Sequence, residues 1–255
     1  MRIVIKLGTS TLTHETGNLN IRRVELLCKV ISDIKNAGHE IILVSSGAIG
    51  MGVGKLGLHA KPDDIPSKQA VAAVGQCELM YIYDKLFDEY HHTVAQILIT
   101  GDDLENARYR DNFSNTIYKL LDYGALPIIN ENDTVATDEI VIGDNDTLAA
   151  LVSRFINADL LILLSDIDGL YTADPRKDAN AKLIETVEEI NDKILSLASG
   201  KGSELGTGGM ITKLQAAKIC ADCGCTMVIA NGSVPENLYA IIEGGNIGTK
   251  FLPKK

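Results

Sequence analysis

Lys6 closes an apolar run, Ile3-Val4-Ile5, and is followed at once by Gly8-Thr9-Ser10. A lysine entering a buried strand is costly unless an anion meets it there. Near the other end of the chain, "SGKGSELGTGGMITK" holds five glycines among the ten residues from Gly200 to Gly209, then a helical pattern carrying Lys213. Backbone N–H groups of such a loop can wrap a phosphate, aided by the positive end of the helix dipole. Lys213, expected in the first turn, would fold back toward that phosphate. Two lysines aimed at one triphosphate suit phosphoryl transfer, where positioning and charge stabilisation supply most of the catalysis. Asp146, opening "DTLAALV", would lie between the two ammonium groups and hold both. Taken alone, Asp146 also reads as a plain helix N-cap and the glycine loop as a plain linker.

The elements that must position these residues alternate. Arg2 to Leu7, "EIILVSS", "TVAQILIT", "ALPIIN", "DLLILLS" and "TMVIAN" are continuous apolar runs that suit buried strands. Between them, Ile21, Val24, Cys28, Ile31 and Ile34 recur at helical spacing and stop at Gly38. Further helices are expected over about Pro66 to Tyr90 and over "YRDNFSNTIYKLLDYG", "DTLAALVSRFINA" and "MITKLQAAKICAD". Apolar strands separated by amphipathic helices predict a largely parallel sheet covered on both faces. The expected fold is α/β, a three-layer αβα sandwich in one domain over residues 1–255. Open parallel sheets bind ligands beyond the carboxyl ends of their strands. Those ends read "KLGTS", "SSGAIG", "NENDT" and "SDIDG", joined by the helix starts "GDNDT" and "GTGGMITK".

Composition narrows the ligand. Net charge is −10 and the last two lysines are the only basic run, so nucleic acid is not an expected partner. No apolar stretch approaches the ~18 residues needed to span a bilayer, and five cysteines without an export signal point to reduced thiols in the cytoplasm. Cys220, Cys223 and Cys225 lack a nearby fourth ligand and read as a helix end and a strand start rather than zinc. "GVGKLG" fails as a Walker A loop. It matches the dinucleotide fingerprint at Gly52, Gly54 and Gly57, yet begins seven residues past the expected strand end, so the match carries little. Asp168-Gly169 reads as a hairpin turn and Asp174-Pro175 as another.

"VIKLGTS", "VSSGAIG", "PIINENDTV", "GDNDTLAALV", "LLSDIDGLYTADPR" and "GTGGMITKLQAA" together resemble the amino acid kinase family, in order and over nearly the whole chain. Their spelling resembles the members that act on glutamate. The resemblance implies the amino acid kinase fold and ATP-dependent phosphorylation of the γ-carboxylate of L-glutamate to L-glutamyl 5-phosphate, the first step of proline biosynthesis. It implies catalytic roles for Lys6, Asp146 and Lys213, and glutamate contacts from Ser46, Asp133 and Asn145. ATP would be held by Lys6, Ser165, Asp166, Thr207, Gly208, Gly209, Met210, Ile211, Thr212 and Lys213, with Mg2+ bridging the phosphates. It implies inhibition by L-proline bound beside the glutamate pocket near a loop from Thr100 to Asn112, and a homo-oligomer. Many such members carry a C-terminal domain of a type found in RNA-modifying proteins. Here the sequence stops at Lys255, just after the expected strand around "GTKFLP", so that domain is not expected. A carboxylate acceptor is already ionised near neutrality, so no general base is needed. None of the five histidines occupies a strand-end motif.

Overall fold

The computed structural model describes residues 1–14, 18–136, 145–198 and 207–254. Strands β1 (Arg2–Leu7), β2 (Glu40–Ser45), β3 (Val94–Ile99), β4 (Leu126–Glu131), β5 (Leu160–Ser165), β6 (Thr186–Val187), β7 (Thr226–Asn231) and β8 (Thr249–Phe251) form one sheet in the order β3-β4-β2-β1-β5-β7-β8-β6. β1 lies at its centre, parallel to β2 and β5, with Lys6 between Val44 and Leu163. Only the β7–β8 pairing is antiparallel among the described strands. The helices are α1 (Thr9–Leu12), α2 (Ile21–Asn36), α3 (Ala48–Leu56), α4 (Ile65–Asp88), α5 (Gly101–Glu105), α6 (Ala107–Asp122), α7 (Asp146–Phe155), α8 (Asp192–Ala198), α9 (Thr207–Asp222) and α10 (Asn237–Ile242).

Alternation along the buried strands feeds two cores. Ile3, Ile5 and Leu7 join Ile41, Leu43 and Ile162 beneath α2, α4 and α10, where Leu27, Ile31, Tyr83 and Leu238 close the layer. Val4 joins Val44, Leu161, Leu163 and Ile229 on the other face, covered by α6, α7 and α9 through Ile117, Leu148, Val152, Leu214 and Ala217. This is the expected three-layer sandwich. Local chemistry sets the helix starts: Asn20 accepts from the Arg23 amide at α2, and Asp64 from the Ser67 amide at α4. That amide holds the Asp64 carboxyl below its usual range. Among the described residues no helix is long and apolar enough to cross a membrane.

Three features depart from the sequence reading. The glycines of "GVGKLG" lie on or just past a helix. α3 runs through Gly52 and Gly54, and Gly57 in the left-handed region (φ 65°) ends it. A Cβ at Gly52 would sit 2.0 Å from the Val71 carbonyl oxygen, and one at Gly75 would sit 1.7 Å from that of Ala48. Those two glycines therefore let the backbones of α3 and α4 touch, which explains them without a nucleotide. Secondly, of the two expected hairpin turns the one at Asp174-Pro175 is found and the one at Asp168-Gly169 is not. Tyr171 pairs with Leu183 in an antiparallel bridge, and the chain reverses beyond them, where Asp174 accepts from the amides of Lys177 and Asp178. Thirdly, Thr100 to Asn112 is largely helical. Thr100 and Asp103 form a capping box on α5, and Asn106 caps α6.

Candidate active site

Parity decides where Lys6 points. As the second residue after Val4 it faces the α7 and α9 layer, not the α2 and α4 layer. α7 begins at Asp146, so the carboxylate stands in the helix's first turn above the carboxyl end of β1. α9 packs along α7 and brings Lys213 to the same point. Lys6 Nζ lies 2.7 Å from Asp146 Oδ1 and Lys213 Nζ 2.9 Å from Oδ2. Asp146 is 0% exposed, Lys6 5% and Lys213 6%. Burying ions costs several kcal/mol each before pairing, and a carboxylate shared by two ammonium groups recovers part of that. Taken by themselves the three side chains sum to +1, a surplus suited to an arriving anion.

Lys213 lies in the second turn of α9, not the first, because that helix already starts at Thr207. Its ammonium also donates to the Gly209 carbonyl (3.1 Å). Thr212 Oγ1 stands 3.2 Å from Asp146 Oδ2 and 3.1 Å from the same carbonyl. Thr207 and Gly208 open α9, Met210 packs on the core, and Ile211 is exposed. Most of the glycine loop (200–206), along with Gly143 and Asp144 of "GDNDT", lies outside the described residues. Ser165 ends β5, its hydroxyl donating to the exposed Asp166 carboxylate (3.0 Å). Beside it, Asp168 accepts from Asn231 (2.8 Å) and the Tyr171 hydroxyl (3.0 Å), tying the ends of β5 and β7.

On the other side of β1 stand the residues expected to hold glutamate. Ser46 is buried, and its amide donates to the Leu7 carbonyl (3.1 Å). Gly47, in the left-handed region at φ 98°, is the N-cap of α3, and no side chain caps that helix. Asn145 is the N-cap of α7, and its Nδ2 donates to the Ser45 carbonyl (2.7 Å) and Asn130 Oδ1 (2.8 Å). Asp133, just past β4, is half-buried. Burial pushes its carboxyl above the usual range, with Lys61 pulling the other way. Sequence reasoning missed the polar chain behind these groups. Asn130 donates to Gln76 Oε1 (2.8 Å), and Ser45 Oγ meets the Tyr83 hydroxyl at 2.8 Å. Asn130 stood inside a quoted strand-end motif, whereas Gln76 lies mid-helix with no local signal. His39, His91 and His92 precede β2 and β3, at the far end of the sheet from this rim.

A model of the amino acid kinase family matches residues 1–231. The chain is 56% identical over 258 residues to the glutamate 5-kinase of Clostridium perfringens, a match covering 100% of this chain and 96% of that protein. It is 55% identical over 255 residues to the glutamate 5-kinase of Caldanaerobacter subterraneus subsp. tengcongensis, covering 100% of this chain and 68% of that protein. Among solved structures, the carbamate kinase from Giardia lamblia bound to AMP-PNP superposes with a TM-score of 0.68 at 18% identity, over 99% of this chain and 98% of that one. The UMP kinase from Bacillus anthracis does so at 0.66 and 17%, over 100% of this chain and 96% of that one. At such identities the two structures speak to the fold alone.

Proposed function

The chain belongs to the amino acid kinase family, and from that premise we propose that it transfers the γ-phosphoryl group of ATP to the side-chain carboxylate of L-glutamate. The product is L-glutamyl 5-phosphate, the opening step of proline biosynthesis. The observation that carries this reading is the pair of ammonium groups, from opposite ends of the chain, on the two oxygens of one buried carboxylate at the sheet's carboxyl rim. A glutamate oxygen forms the new O–P bond, the bond from the γ-phosphorus to the bridging oxygen breaks, and ADP leaves with that electron pair. Lys6 and Lys213 stabilise the charge on the transferring group, and Asp146 keeps them in register. The acceptor is ionised before it arrives, so a base is not required.

Substrate choice falls to the other side of β1. Asp133 is a desolvated carboxylate, and a substrate ammonium would lower the cost of keeping it charged. Ser46 with the Gly47 amide would take the α-carboxylate, and Asn145 completes the glutamate contacts. Ser165, Asp166 and Thr207 to Lys213 hold ATP. Mg2+ would be carried in on the phosphates with few protein ligands. When bound it would offset phosphate charge. The same reading includes inhibition by L-proline beside the glutamate pocket, work as one kinase domain, a cytoplasmic setting in keeping with five free cysteines, and a homo-oligomer, in keeping with the half-exposed apolar edge strand β3. Equal turnover with and without millimolar proline removes the first, and a monomeric mass in solution removes the last.

The test is ADP release measured with glutamate, acetylglutamate and aspartate, for the wild type and Lys213→Ala. Glutamate-dependent turnover is expected to fall at least about 100-fold in the variant, as for loss of a main electrostatic stabiliser. A loss under about tenfold takes Lys213 out of this role, and a preference for acetylglutamate takes Asp133 out of its own.

A further inference from the structure

We propose that Gln76 is a positioning residue for the glutamate subsite, because it supplies the acceptor that holds Asn130 in place behind Asn145. The inference rests on the reading of Asn145 as a glutamate contact.

Asn130 is buried at the end of β4. Its Oδ1 receives two donors, the Glu131 amide at 2.9 Å and Asn145 Nδ2 at 2.8 Å, while its Nδ2 donates to Gln76 Oε1 at 2.8 Å. Were this amide to turn over, its NH2 would face two other donors, and its carbonyl would face Gln76. The Glu131 amide, which cannot turn over, and the Gln76 acceptor therefore fix the observed orientation together, and without Gln76 the Asn130 Nδ2 is a buried donor that has lost this acceptor. With Asn130 set, Asn145 spends both Nδ2 protons inward, on Asn130 Oδ1 and the Ser45 carbonyl. The carbonyl end of the Asn145 amide is then directed away from those two acceptors, where a substrate donor would meet it.

Gln76 can enforce this because it cannot drift. The preceding residue is Gly75, at the point where α4 touches α3 backbone to backbone, and a Cβ there would stand 1.7 Å from the Ala48 carbonyl oxygen. Ala48 follows Ser46 and Gly47 directly. One helix contact thus sets the distance between two groups assigned to glutamate. Asp146, although next to Asn145, is held separately by Lys6 and Lys213, so disturbing the relay is expected to weaken glutamate binding more than phosphoryl transfer.

The experiment measures kcat and both KM values for wild type, Gln76→Met, Gln76→Glu and Thr249→Val. Gln76→Met removes the acceptor at nearly constant volume. KM for glutamate is expected to rise about tenfold or more, as for a buried donor stripped of its acceptor, with KM for ATP and kcat within about threefold. Gln76→Glu retains an acceptor and is expected to keep KM for glutamate within about threefold of the wild type. Thr249→Val cuts buried hydrogen bonds to Leu170 and Ile184, outside the relay, and is expected to lower the melting temperature without moving KM for glutamate. Should Gln76→Met not fold, Gln76→Ala reads the same loss without added bulk. The proposal is overturned if KM for glutamate is unmoved, if kcat and both KM values shift together, or if Gln76→Glu behaves as Gln76→Met does. A wild type without glutamate-dependent turnover is a different failure, removing the substrate reading and this inference with it.

Discussion

Asp133 carries a cost that only a ligand would offset. Its folded pKa lies above the ordinary 3.8 because burial disfavours the charged form more than Lys61 favours it. The sign follows from proton linkage: the folded state holds this proton more tightly, so the stabilising contribution is present at acid pH and is lost as pH rises through the raised value. At neutral pH the charged Asp133 therefore works against folding. Asp133→Asn is expected to raise the melting temperature at pH 7, an advantage that shrinks as pH falls through the carboxylate range, while KM for glutamate rises about tenfold or more, as for loss of a charged partner. Thermal melts from pH 3 to 8 beside glutamate kinetics check both halves, and a variant less stable at pH 7 contradicts the argument. Residues of this kind were legible in the sequence because each stands at a strand end or helix start, where a parallel sheet collects ligands. Gln76 was not legible, since its partner is 54 positions away and a single mid-helix glutamine leaves no periodic trace.

At the scale of elements, the α3–α4 contact matters most. Gly75→Ala would drive a methyl group into the Ala48 carbonyl, and overpacking of this kind costs about 2 kcal/mol or more. In a chain of this length that corresponds to a drop in melting temperature of about 4–8 °C, measurable by circular dichroism. An unchanged melting curve means that α3 and α4 can part easily. The long elements were readable from pattern alone: the apolar run Arg2–Leu7 and the helical spacing from Ile21 reappear with almost unchanged limits. α3 was not, because glycine is a poor helix former and only the close approach of α4 explains Gly52. Of the two hairpin turns, Asp174-Pro175 was legible, whereas Asp168-Gly169 misled: it carries a strong turn signature, yet Asp168 is engaged by Asn231 from β7, a long-range tie that no local pattern shows.

For the whole molecule, net charge and the charge of the Lys6, Asp146 and Lys213 trio have opposite signs. The chain carries −10, yet two buried ammonium groups and the start of α9 meet at one rim. Binding is therefore a short-range matter of placed groups, and nucleotide should stabilise the fold that assembles them. At a hundredfold excess over its dissociation constant, ATP with magnesium is expected to add about 2.7 kcal/mol, or roughly 5–10 °C. Lys213→Ala is expected to lose most of that shift, and an equal shift in the variant would separate nucleotide binding from Lys213. The sheet's class was readable from composition because strands buried on both faces are apolar throughout. At its far edge β8 falls within the strand expected around "GTKFLP", whereas β6, with two residues, is too short to show a period.

The central strand makes the chemistry a matter of odd and even. Odd-numbered Ile3, Ile5 and Leu7 go to one layer, even-numbered Val4 and Lys6 to the other. One residue inserted before Lys6 within that strand would send the lysine among Leu12, Tyr83 and their neighbours, taking from Asp146 one of the two cations described on it. Counting, as much as composition, determines which side of this sheet can handle phosphate.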